Sequence, residues 1–249
     1  MTPVQWNALC DHVADEMKIH TRPYATPLVQ DVTGVPAEIG TGTFIQRRGM
    51  EVLTCEHVAS LQPHEHEFYG HAGLLKLPVT WRADPPPIDA AIASITPAHW
   101  RSVQHAAAGL ALSRFAPVHR PVEKELLFFR GFAGENATLQ IGYSRLIATG
   151  YCSQELPGSG DADVFEMLWN PPATTISSGT GEDVRSMFQH NNPGGFSGSL
   201  VWNTRFVETG SNPSTWSPQD AVVTGLLRRW DFATKTLLVW RVEHLNAWL

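Results

Sequence analysis

A serine surrounded by glycines lies near the C-terminus, in residues 193–199 (PGGFSGS), just before an apolar run. Glycine permits the backbone angles that turn consecutive N–H groups toward one point. The N–H groups of Gly195 and Ser197 therefore form a candidate oxyanion hole, which would hold the charge of a tetrahedral intermediate. A glycine-rich turn with an ordinary serine is the alternative that this motif alone leaves open.

A histidine and an aspartate in the first half of the chain supply the other groups that acyl transfer needs. His57 follows the predicted strand 50–54, which places an imidazole at the end of that strand. Asp89 begins the apolar run 89–95, and a carboxylate buried by such neighbours requires a hydrogen-bonding partner. The Nδ1–H group of a histidine is one such partner, although the chain has 11 histidines and a lone one is usually a surface or core residue.

These three pieces together resemble the trypsin-like (chymotrypsin-fold) serine peptidases, whose catalytic residues have the chain order of His57, Asp89 and Ser197. The resemblance covers about residues 25–249 and implies an all-β fold of two six-stranded antiparallel β-barrels with N-terminal and C-terminal helices. It also implies a serine endopeptidase that cleaves polypeptides through an acyl-enzyme. Ser197 would be the nucleophile, His57 the general base and then acid, and Asp89 the residue that fixes the histidine tautomer. The oxyanion hole would be formed by the N–H groups of Gly195 and Ser197.

The residue before the serine departs from the family pattern. Members activated by N-terminal cleavage usually have an acidic residue there, whereas this chain has Phe196. Activation by N-terminal cleavage is therefore not supported. We expect the loop before Ser197 to be preformed, or to be ordered by the substrate or by a protein activator or regulatory complex.

The resemblance also locates the primary substrate pocket, between the segment six residues before the serine and a later strand. The corresponding residues are Asn191, Asn192, Arg228, Arg229 and Trp230. Asn191 gives no reason to expect a preference for Lys or Arg at the cleavage site. A desolvated arginine would pair with an acidic substrate group, whereas a solvated strand edge is the alternative for both arginines. Trp230 would narrow the pocket.

Many short strands must position these residues. Thr2 and Pro3 predict the start of an N-terminal helix. The expected units are a helical extension (1–24), a first barrel (25–115), a second barrel (116–241) and a C-terminal helix (242–249). Predicted strands are 27–32, 42–48, 50–54, 77–82 and 89–95, then 126–131, 138–151, 164–168, 199–203, 221–228 and 235–241. The remaining predictions are a short helix within 97–113, a linker at 114–122, and loops at 154–163 and 170–194.

Composition excludes several classes of protein. The chain has 249 residues, 43% of them hydrophobic and 17% charged, which is typical of a folded globular protein. Its net charge is −6 and no segment concentrates Lys and Arg, so we expect no nucleic-acid partner. No run of uncharged apolar residues is long enough to predict a membrane span.

The number of cysteines and the N-terminal residues indicate the cellular compartment of the protein. Cys10, Cys55 and Cys152 are too few for a disulfide scaffold, and residues 1–20 do not resemble a secretory signal. Secreted members of the resembled family usually have several disulfides. We therefore expect three free thiols and a cytoplasmic protein of an intracellular, bacterial-type branch.

Three other interpretations remain. His64, Glu65, His66 and His71 crowd one segment, where an exposed polar loop is expected rather than a metal site. Cys55 and Cys152 are candidate nucleophiles, although buried thiols usually serve packing alone. The chain is therefore expected to need no cofactor or metal. An alternative from another class is a non-catalytic peptide-binding or regulatory module that keeps the peptidase fold.

Overall fold

Two curled, largely antiparallel sheets form the body of the protein in the computed structural model, which describes residues 2–32, 35–140, 143–158 and 161–249. The first sheet comprises β1 (Ala25–Val32), β2 (Val35–Gln46), β3 (Met50–Thr54), β4 (Glu65–His66), β5 (Leu75–Lys76), β6 (Trp81–Asp84), β7 (Ala90–Ile95) and β8 (Leu110–Ala111). Its spatial order is β5-β4-β1-β2-β3-β7-β6, and β8 pairs with β2 in parallel.

The second sheet follows in the chain and comprises β9 (Leu127–Gln140), β10 (Tyr143–Ser153), β11 (Glu155–Leu156), β12 (Val164–Leu168), β13 (Leu200–Asn203), β14 (Val222–Asp231) and β15 (Thr236–Arg241). Its spatial order is β10-β9-β13-β14-β15-β12-β11, with antiparallel pairing. Two half-barrels of this kind confirm the all-β, double-barrel fold predicted from the sequence. In the described residues the sheets contain eight and seven strands rather than six each, and four of these strands, β4, β5, β8 and β11, have only two residues.

Five α-helices flank the sheets in the described residues: α1 (Pro3–Thr21), α2 (Glu56–Ser60), α3 (Pro97–Trp100), α4 (Glu182–Arg185) and α5 (Val242–Trp248). The predicted N-terminal cap is present, because the Gln5 N–H donates to Thr2 Oγ1 (3.3 Å) and the Thr2 N–H donates to Gln5 Oε1 (2.9 Å). Val13 and Met17 of α1 are fully buried in the main hydrophobic core. None of these helices combines the length and hydrophobicity that a bilayer crossing requires.

Two predicted strand boundaries were wrong. The expected strand at 77–82 is interrupted, because Pro78 has no N–H group to donate to a ladder. The expected break between 131 and 138 is absent, because pairing with β10 continues past Gly131. The short helix expected within 97–113 is confirmed as α3, whereas the expected loops at 154–163 and 170–194 contain β11 and α4.

Candidate active site

The pairing of β3 with β7 brings a histidine and an aspartate together. Thr54 lies opposite Ala91, so the end of β3 is beside the start of β7. His57 occupies the first turn of α2, directly after β3, and its side chain is 45% exposed. Asp89 immediately precedes β7, has a positive φ of 50° and is only 3% exposed. The sheet register therefore places a buried carboxylate beneath an accessible imidazole.

Two N–H groups of His57 converge on Asp89. The Nδ1 atom lies 2.9 Å from Asp89 Oδ1 and 3.1 Å from Oδ2, and the backbone N–H donates to Oδ1 (3.2 Å). A carboxylate at Nδ1 favours the tautomer that has its hydrogen there. Nε2 is then the basic nitrogen.

Asp89 is ionised at neutral pH. Burial raises its pKa, but hydrogen bonds from His57 and the charges of His57 and Arg228 oppose burial and hold the pKa of Asp89 below its ordinary value. The site therefore holds a fixed negative charge.

Arg228, which the sequence analysis placed in the substrate pocket, lies beside Asp89. Its Nε donates to Asp89 Oδ2 (3.4 Å), and its side chain is only 12% exposed. The guanidinium thus contacts the aspartate, instead of being free in a substrate pocket. No local sequence signal could have shown this contact, because 139 positions separate the two residues.

The other predicted pocket residues do not share one environment. Arg229 lines, with Arg228, a cavity of about 200 Å³ whose wall includes the carboxylates of Asp161, Glu166 and Asp231. These carboxylates reduce the attraction that the arginines would exert on an acidic substrate group.

Asn191, Asn192 and Trp230 lie in other surroundings. Asn191 and Asn192 are exposed, and their backbone N–H groups donate to Glu135. The Trp230 ring packs on Phe232 with centroids 4.2 Å apart.

Glycine is required on both sides of Ser197. Gly195 and Gly198 have φ values of 103° and 93°, in the left-handed region. A Cβ on Gly198 would lie 2.0 Å from the carbonyl oxygen of Thr41. In the part of the chain that the structure describes, neither the Gly195 nor the Ser197 N–H donates a hydrogen bond to the protein. Both predicted oxyanion donors are therefore free to bind an acceptor.

One carbonyl links the neighbours of Ser197 and His57. The Leu227 oxygen accepts from the Gly198 N–H (2.9 Å) and from the Cys55 thiol (3.3 Å). No hydrogen bond joins the Ser197 and His57 side chains among the described residues, and such contacts often form only when substrate is bound.

Thr41 of β2 anchors the loop that carries Ser197 (residues 193–199, the serine loop) to the first sheet. This residue was not singled out by the sequence analysis. Its N–H donates to the Ser197 carbonyl (3.0 Å), and its hydroxyl donates to the Gly195 carbonyl (2.8 Å). The same hydroxyl accepts from the Phe132 N–H (2.9 Å). The sequence signal was the glycine-flanked run 40–43, whose small residues permit this close approach.

Phe196 anchors the same loop in the second sheet. The side chain is 1% exposed, and its ring centroid lies 5.0 Å from that of Phe129 and 5.9 Å from that of Trp169. An aromatic side chain in the core thus occupies the position at which family members activated by N-terminal cleavage usually have an acidic residue. Apolar packing holds the Phe196 ring in place.

Cys55, His57 and Asp89 are also a possible metal site, because one ligand atom of each lies within 4.8 Å of the others. The chemistry of the donors disfavours a cation. Burial and the nearby Asp89 raise the pKa of the Cys55 thiol well above its ordinary value, and this thiol donates to a carbonyl. The Arg228 guanidinium also supplies positive charge at the carboxylate.

The other candidate metal ligands, at 64–71, and the other candidate nucleophile, Cys152, are also not arranged as a functional site. His66 is buried beside His99, whereas Glu65 pairs with Lys76 (2.7 Å), so the residues at 64–71 do not converge. Burial raises the pKa of Cys152 far above its ordinary value, which makes it a poor nucleophile.

Comparison with known proteins identifies the fold class. No protein-family model and no curated protein sequence matches the chain. Solved structures do match: a serine endoprotease from Yersinia pestis has a TM-score of 0.54 at 10% identity, covering 94% of this chain and 64% of that one. The MamO protease domain from Magnetospirillum magneticum has a TM-score of 0.51 at 12% identity, covering 93% and 98%.

The active form of the Rv3671c protease from M. tuberculosis is also similar, with a TM-score of 0.50 at 16% identity over 95% of this chain and 83% of that one. Identities this low establish the fold alone. The protein has the double-barrel fold of chymotrypsin-like serine proteases.

Proposed function

We propose that the protein is a serine endopeptidase. One observation carries the proposal: the His57–Asp89 pair lies beside a loop whose Gly195 and Ser197 N–H groups are free. The low exposure of Asp89 and the accessible imidazole are the arrangement that a general base requires. This chemistry also agrees with the fold that the chain shares with serine proteases.

The proposed reaction proceeds through an acyl-enzyme. Ser197 Oγ attacks the scissile carbonyl carbon while its proton passes to His57 Nε2, and the two free N–H groups bind the resulting oxyanion. The imidazolium then gives this proton to the leaving amine as the C–N bond breaks. A water molecule next attacks the ester, with its proton passing to His57 Nε2, and the proton returns to Ser197 as the acid product leaves. Asp89 stabilises the imidazolium during both formation and hydrolysis of the acyl-enzyme.

An open strand edge supports a polypeptide substrate. β13 pairs with β14 only as far as Leu226, and β14 extends five residues further, to Asp231. Beyond Leu227, the described strands pair with β14 on the β15 side alone. An extended peptide would add to this free edge through main-chain hydrogen bonds, beside Ser197.

A fluorophosphonate probe tests the proposal, because it reacts only with an activated serine. We expect wild-type labelling at Ser197 and its loss in Ser197→Ala and His57→Ala. Ser199→Ala is the matched control, because Ser199 lies two positions away in the same loop, is fully buried and should leave labelling intact. Failure of the folded wild type to react would favour the non-catalytic binding module.

A further inference from the structure

Residues 134–136 of β9 hold the segment that leads to Ser197. The Gly134 N–H donates to the Gly194 carbonyl (2.9 Å). Glu135 Oε1 accepts from the Asn191 N–H (2.8 Å) and from the Asn192 N–H (3.0 Å). One carboxylate oxygen therefore fixes two consecutive peptide groups of the approach to the serine.

Asn136 extends this contact by one residue. Its side-chain amide donates to the Gln189 carbonyl (2.8 Å), and its side-chain oxygen accepts from the Gln189 N–H (2.7 Å). Asn136 is 5% exposed, so this reciprocal pair is shielded from water. The strand therefore contacts the loop at several points between 189 and 194.

The loop needs such support because its backbone is constrained. Gly195 has a φ of 103°, and a Cβ there would lie 2.4 Å from the Phe132 carbonyl oxygen. Two N–H groups must also stay unpaired in the protein in order to bind an oxyanion. Phe196 supplies an apolar anchor, but no charge, at the end of the segment.

We infer that Glu135 is a positioning residue for Ser197: it fixes residues 191–192 so that the N–H groups of Gly195 and Ser197 stay directed at the reacting carbonyl. The inference rests on the proposed peptidase function. Hydrogen bonds to an ionised carboxylate are roughly twice as strong as those between neutral groups, which suits an exposed loop. Glu135 acts through the backbone and does not contact the substrate. It therefore orders the loop from within the chain, without a newly formed N-terminus.

The test combines reaction rate with hydrogen exchange in three variants of the full chain. Glu135→Ala removes the acceptor, Glu135→Gln keeps an oxygen acceptor without the charge, and Glu123→Ala is the control at an 89% exposed side chain. We expect Glu135→Ala to slow fluorophosphonate labelling of Ser197 about 10-fold or more, since loss of one oxyanion donor costs about 100-fold or more. Glu135→Gln should restore most of the rate, and Glu123→Ala should match the wild type.

Hydrogen exchange separates this inference from the proposed function. The amides of Asn191 and Asn192 should exchange faster in Glu135→Ala while the folded core stays protected. If the wild type is labelled at Ser197 and Glu135→Ala is labelled equally fast, the positioning role is overturned and the peptidase assignment stays in place. If wild-type Ser197 does not react, the peptidase proposal fails. Exchange then decides the anchoring role: unchanged exchange refutes it and faster exchange supports it.

Discussion

At the scale of single residues, His57 and Arg228 share the carboxylate of Asp89. Oδ1 accepts from the side chain and backbone of His57, whereas Oδ2 lies 3.1 Å from His57 Nδ1 and 3.4 Å from Arg228 Nε. The negative charge that would stabilise an imidazolium is therefore partly offset by a cation inside the same cluster. Arg228 thus helps to hold the pKa of Asp89 below its ordinary value.

Substitution of Arg228 by Met should lower the free energy of unfolding at neutral pH by about 1–3 kcal/mol, because the buried carboxylate of Asp89 loses its guanidinium partner. Without the guanidinium the pKa of Asp89 rises, so the loss of stability should shrink as the pH falls and Asp89 becomes protonated. Urea unfolding at several pH values measures the difference. Arg229→Met is the matched control, because Arg229 is exposed, has no hydrogen bond to Asp89, and should keep the wild-type stability. Equal stability of Arg228→Met and the wild type at neutral pH would contradict this role.

At the scale of elements, one threonine joins the two sheets behind the reactive loop. Thr41 lies in β2, its hydroxyl donates to the Gly195 carbonyl, and it accepts from the Phe132 N–H of β9. Its side chain is fully buried, so water cannot replace these bonds. A single buried hydroxyl therefore bridges β2, β9 and the loop that carries Ser197.

Replacement of Thr41 by Val should lower the free energy of unfolding by about 1–3 kcal/mol, because a buried N–H and a buried carbonyl lose their partner. Fluorophosphonate labelling of Ser197 should slow as well, since the Gly195 carbonyl is then unrestrained. Thr41→Ser keeps the hydroxyl and should recover most of both properties. Urea unfolding and labelling rates check the prediction. Equal stability and rate in Thr41→Val and the wild type would exclude the anchoring role.

Local signals predicted elements well, whereas contacts between elements were not predictable. The cap at Thr2 and the run 50–54 are set by neighbouring residues, and the structure confirms both. The Arg228–Asp89 contact depends on the register of β14, which shifts between Leu227 and Arg229. No periodicity encodes such a shift, and therefore the sequence led to a pocket role for Arg228.

At the scale of the whole molecule, a second titratable cluster lies in the core of the first sheet, apart from the active site. His66 is fully buried, and its Nε2 lies 2.7 Å from that of His99. Burial and the neighbouring histidines lower the pKa of His66 to about 3. Burial raises the pKa of the next residue, Glu67, to about 7. Between these two pKa values, both adjacent residues are therefore neutral in the folded state.

These two residues should change the stability of the whole protein in opposite directions between about pH 6.5 and pH 4.5, the ordinary pKa values of His and Glu. As pH falls through this range, the unfolded chain protonates His66, and stability decreases. The folded state holds the Glu67 proton more tightly, so stability increases, each effect reaching up to about 1.4 kcal/mol per pH unit. Glu67→Gln should therefore lose stability on acidification, and His66→Gln should gain it, relative to a flatter wild type. Urea unfolding at several pH values measures the three slopes. Identical slopes would show that neither residue keeps its shifted pKa in the folded protein.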